Sequence, residues 1–64
     1  MTRKSFIRLP RVEERTGLSR SEIYRRMRDR RFPQSHKLGA KTTVWLDTDI
    51  DAWLEEQLAD HEVA

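Results

Sequence analysis

The chain has no cysteine, only two glycines and two prolines, and not one lysine or arginine after Lys41. The first absence excludes a disulfide framework and any thiolate metal centre. His36 and His61 stand far apart with no ligand spacing around them, so neither a metal nor a cofactor is expected. No apolar run approaches the ~18 residues of a membrane span. Arg3 and Lys4 are not followed by the apolar segment of a signal peptide. The expectation is a cytoplasmic protein with no membrane partner. No nucleophile sits beside a base and no glycine-rich phosphate loop is present, so the pattern does not point to an enzyme.

What is present is charge, unevenly distributed. Charged residues make up 38% of the 64 positions and hydrophobic ones 36%, which allows one small domain, 1–64, with a thin core. The net charge of +2 averages two opposed parts. Residues 1–41 hold all 13 bases and four acids, a balance of +9, and residues 42–64 hold seven acids and no base. Such a split suits a basic face that meets a polyanion while the acidic part turns elsewhere; two ordinary solvated surfaces are the alternative.

Pro10 suits the first turn of a helix, where its missing N–H is not needed. A first helix is therefore expected over about 10–16, ended by Gly17. Ser19 with Glu22 three residues on forms a capping box that starts a second helix, about 20–30, before Pro33. Only three residues separate the two helices, the connection of a helix-turn-helix. Residues His36–Leu38 and Thr43–Leu46 read as the strands of a small hairpin, with Gly39 the strong turn former between them. Asp47 can cap a third helix, about 48–60, whose Ile50, Trp53, Leu54 and Leu58 lie on one face. A short strand near Phe6–Leu9 would complete the order. The fold class expected is mainly α with a small β-hairpin, a three-helix winged helix-turn-helix with its wing at about 36–46.

On a helical wheel the second helix turns Ile23 and Met27 to one side, where they join a core of Val12, Leu18, Phe32, Trp45, Ile50, Trp53 and Leu54. Ser21, Arg25 and Arg28 lie opposite, flanked by Arg20 and Tyr24, with Arg26 at the core boundary. A helix that enters the major groove needs this division, because arginine's fork grips guanine O6 and N7, or a phosphate, with two bonds. Ser19 and Ser21 sit at the helix N-terminus, which suits phosphate. Otherwise the arginines only solubilise the helix, with Glu22–Arg26 and Arg25–Asp29 as i,i+4 pairs. Arg30 and Arg31 are candidate phosphate contacts at its end. Lys37 and Lys41 bracket the hairpin turn, as a basic wing on the backbone or minor groove, or as lysines that protect a strand edge. The acids of the third helix are either a solvated face or a docking surface for a protein, which keeps a protein-interaction module among the readings.

The segments "RLPRVEERTGLSRSEIYR", "RFPQSHKLG" and "VWLDTDIDAWLEE" together resemble the AlpA family of small phage and prophage regulatory proteins. The resemblance covers Arg8 to Leu58. It implies a MerR-like, excisionase-like winged helix-turn-helix that binds double-stranded DNA as a bacterial, nucleoid-associated transcriptional regulator, or as an excisionase (recombination directionality factor) acting with an integrase at attachment sites. The recognition-helix role then falls on Ser19, Arg20, Ser21, Tyr24, Arg25 and Arg28, and the wing role on Lys37 and Lys41. Integrase, RNA polymerase and further copies of the chain, side by side or as a dimer, are the partners this implies. Glu13 departs from the pattern, standing where the family usually has an apolar residue.

Overall fold

The computed structural model describes residues 5–61. Arg3 and Lys4 lie outside them. The elements are β1 (Phe6–Arg8), α1 (Leu9–Thr16), α2 (Arg20–Arg28), β2 (His36–Gly39), β3 (Thr42–Leu46) and α3 (Asp47–His61). The fold is a mainly helical winged helix-turn-helix.

Each boundary of the helix-turn-helix has a local cause. Pro10 occupies the first turn of α1, and Gly17 closes it at φ 75°, donating its N–H to the Glu13 carbonyl at 2.8 Å. That left-handed φ favours glycine. Thr16 reinforces the turn: its hydroxyl donates to the Val12 carbonyl at 2.8 Å and accepts the Leu18 N–H at 3.3 Å. The Ser19 hydroxyl accepts the Glu22 N–H at 3.3 Å, the first half of the expected capping box.

The second helix ends earlier than the sequence suggests. It stops at Arg28, and Arg30 takes a left-handed φ of 61°. The Arg31 N–H donates to the Arg26 carbonyl at 2.7 Å, and the Arg30 N–H to the Met27 carbonyl at 3.1 Å. This is a Schellman-type closure with arginine where glycine is usual. A left-handed conformation costs a residue with a Cβ roughly 1–2 kcal/mol. Arg30→Gly is therefore expected to stabilise the protein by about 1 kcal/mol, a rise in Tm of about 4–8 °C for a domain of this size. Thermal denaturation of the two proteins checks this, and an unchanged or lower Tm contradicts it.

The sheet has the order β1-β3-β2, with β3 antiparallel to both neighbours. The hairpin departs from its expected form. Gly39 lies in the ladder opposite Thr42, the turn is Ala40–Lys41, and Gly39 has no positive φ. The register shifts between Lys37 and Gly39, so Leu38 is a bulge that adds the local twist the hairpin needs. Alternation along β3 separates Trp45, opposite Ile7, from Val44 and Leu46 on the other sheet face.

Val12, Ile23, Phe32, Trp45 and Ile50 form the buried cluster, and Leu18, Met27, Trp53, Leu54 and Tyr24 pack around it half-buried. Val44, absent from the expected core, is buried as the middle strand's residue between Arg8 and His36. Leu58, expected on the core face of the third helix, is 70% exposed. The helix outruns the small body it packs against, so its apolar spacing persists past the last residue that can be covered. α3 follows β3 without a loop, and Asp47 is its first residue rather than its cap. The Asp47 carboxylate is engaged by Arg15 instead.

Candidate nucleic-acid interface

The outer face of α2 is open. Ser19, Arg20, Ser21, Arg25 and Arg28 are all exposed, while Ile23 on the opposite side is fully buried. The burial of one stripe fixes the helix against the body and leaves the other stripe to solvent. Tyr24 divides its surface between the two. Its ring meets Trp45 edge-on at 6.2 Å, and the Arg20 guanidinium carbon stands 5.8 Å from its centroid. Tyr24 is thus partly a core residue, one that also orients Arg20 by a cation–π contact.

Charge pairing on this face differs from the expected pattern. Glu22 draws both neighbouring arginines, with Arg25 Nη2 at 2.5 Å from Oε1 and Arg26 Nε at 3.4 Å from Oε2. The Arg25–Asp29 pair does not form among the described residues, because Arg25 turns back towards Glu22 at i,i−3. Arg20, Arg28, Arg30, Arg31, Lys37 and Lys41 are exposed and in no ion pair among the described residues. Their charges are available to an anion without first breaking an ion pair. Lys37 lies on β2 and Lys41 in the Ala40–Lys41 turn.

Three contacts that the sequence pattern does not reveal hold this surface in place. Arg15, at the end of α1, spans Asp47 and Asp51 with its two terminal nitrogens and so ties α1 to the start of α3. The hydrogen bond to Asp51 is the main cause of a pKa raised above arginine's ordinary value, with burial opposing it and the charges of Asp51 and Asp47 assisting. Arg15 is consequently a structural cation rather than a member of the open basic set. Gln34 Nε2 donates to the Met27 carbonyl at 3.2 Å, and Trp53 Nε1 to the Arg31 carbonyl at 2.8 Å. Both act on backbone carbonyls at or just past the end of α2, which no spacing rule marks in a sequence. Glu13 is half-buried and carries no ion pair among the described residues.

Among the described residues no group of three or more His, Asp or Glu could hold a metal ion, and no helix is long and apolar enough to cross a membrane. Residues 5–58 match the family described as prophage CP4-57 regulatory protein (AlpA). A protein of Enterobacteria phage P4, described as uncharacterized protein ORF88, is 39% identical over 59 residues, 92% of this chain and 67% of that protein. The DNA-binding transcriptional activator AlpA of Escherichia coli (strain K12) is 35% identical over 58 residues, 81% of this chain and 83% of that protein. No solved structure matches the chain.

Proposed function

Since the chain belongs to the AlpA family of prophage regulatory proteins, we propose that it is a sequence-specific double-stranded DNA-binding regulator of transcription. In this reading residues 1–64 act as a single winged helix-turn-helix domain without enzymatic activity. The observation that carries it is the exposed arginine face of α2, opposite a buried stripe and directly after a capped three-residue turn. The helix enters the major groove. Arg25 and Arg28 read base edges or grip phosphates with their forks, Arg20 lies beside them, and Ser19, Ser21 and the Tyr24 hydroxyl serve the backbone. Arg30 and Arg31 neutralise phosphates past the helix end. Lys37 and Lys41 lie along the backbone or the minor groove as the wing.

A domain this small covers only a few base pairs, so several copies on repeated sites, or a dimer, supply the affinity. Enrichment of bound duplexes from a randomised pool tests the reading. A recurrent motif is expected, and a bound fraction indistinguishable from the starting pool contradicts sequence-specific binding. Lys41→Ala should leave that motif unchanged, weaken binding to all duplexes alike, and reduce the salt slope by about one. A changed base preference in that variant would place Lys41 at a base instead.

A further inference from the structure

The turn after α2 is held at a cost and from a distance. Arg30 is non-glycine at φ 61°, and such a conformation persists only where the surroundings over-determine it. Glycine would make the same turn without strain, so what the strain retains is the side chain. The restraints come from two sides. Within the turn, the Arg30 N–H donates to the Met27 carbonyl at 3.1 Å. From α3, Trp53 Nε1 donates to the Arg31 carbonyl at 2.8 Å, and its ring lies 4.8 Å from that of buried Phe32.

These two rings also line a groove between the turn and α3. Arg30 and Arg31 stand among its lining residues, and so do Asp49, Glu56 and Asp60 of α3. Opposite charges share one groove, yet no ion pair crosses it among the described residues. Phe32 and Trp53 line the groove beside these charges, and the carbonyl bond ties the backbone of the turn to α3 while Arg30 and Arg31 stay exposed.

We propose that Trp53 is a positioning residue for DNA binding: through the Arg31 carbonyl and the Phe32 ring it holds the turn so that Arg30 and Arg31 meet phosphate instead of the acids of α3. The inference rests on the DNA-binding reading above. It gives the acidic helix a part in binding without any contact to DNA.

The test is the salt dependence of binding to a fluorescein-labelled, random-sequence duplex of about 20 base pairs, two helical turns, between about 50 and 200 mM KCl. Each lost phosphate contact lowers the slope of log K against log salt by about 0.9. Arg30→Ala and Arg31→Ala should each lower it by about one contact. Trp53→Phe keeps an aromatic ring on Phe32 while it removes the indole N–H and leaves a small void. It should lower the slope by about one contact as well, and adding Arg31→Ala to it should lower it less than the two single effects combined. Arg30→Gly should raise Tm and still lose a contact. Because a uniform loss of folded protein shifts affinity without altering the slope, a merely structural role for Trp53 leaves the slope at the parent value, and that result overturns the proposal. So does an unchanged slope in both arginine variants, which leaves Trp53 nothing to position. If Arg25→Glu/Arg28→Glu loses binding while Trp53→Phe keeps the parent slope, the inference alone fails. If the parent chain binds no duplex, both fail together.

Discussion

Trp45→Ala is expected to unfold the domain. Trp45 is fully buried on the central strand and belongs to the cluster that draws on α1 (Val12), α2 (Ile23) and α3 (Ile50). Ile7 pairs with it across the sheet, and Tyr24 meets it edge-on. Truncating a buried tryptophan to alanine costs about 3–5 kcal/mol. A protein of 64 residues has about 3–10 kcal/mol of stability in total, at about 0.05–0.15 kcal/mol per residue. The loss is comparable to the whole. One feature makes Trp45→Phe a fair control. The Trp45 indole N–H is buried without a hydrogen-bond partner among the described residues, and such a group costs about 1–3 kcal/mol. Phenylalanine removes that penalty while it leaves a smaller void than alanine does. Circular dichroism melts should show no cooperative transition for Trp45→Ala and a folded protein with a lowered Tm for Trp45→Phe. A Trp45→Ala variant that melts where the parent does would refute the core.

Reversal of two charges on α2 should abolish DNA binding and leave the fold intact. Arg25 and Arg28 are both exposed on the face opposite Ile23. A bidentate arginine contact is worth about 1–3 kcal/mol, so losing two costs about 2–6 kcal/mol, roughly 30-fold or more in affinity. Glutamates at both positions add repulsion from the phosphates to that loss. Arg25 is paired with Glu22 at 2.5 Å, so Arg25→Glu also sets two acids at i,i+3. On an exposed helix face that arrangement costs only a few tenths of a kcal/mol. Titration of the double variant Arg25→Glu/Arg28→Glu against a duplex the parent binds, beside a melt of each, separates loss of contact from loss of fold. Binding within threefold of the parent would remove α2 from the interface.

Much of the fold was legible because it depends on residues whose effects are local. Pro10, Gly17 and Ser19 each act on the backbone within a turn of themselves, and the helix-turn-helix follows from them. The open face of α2 follows from helical periodicity alone. What was not legible depends on partners distant in sequence. Arg15 looks like any basic residue until Asp47 and Asp51 are brought to it across 32 and 36 positions. Trp53 reads as one more apolar residue, because a wheel shows which way its ring faces and not which carbonyl its N–H meets. Leu58 fits the apolar spacing of its helix and is exposed, since spacing carries no information about where the body beneath the helix ends. The arginine at the end of α2 was hidden by a preference: glycine marks such turns, and Arg30 makes one without it.

The central claim, that the arginine face of α2 holds DNA, is tested most directly by mapping where the protein sits on the genome of the cells that carry it. The parent chain and the Arg25→Glu/Arg28→Glu variant would be expressed at equal levels and footprinted together. The account predicts discrete occupied sites for the parent, over promoters, and none for the variant. The same sites occupied by both proteins, or no sites for either, would contradict it and leave the acidic face of α3 as the surface that acts.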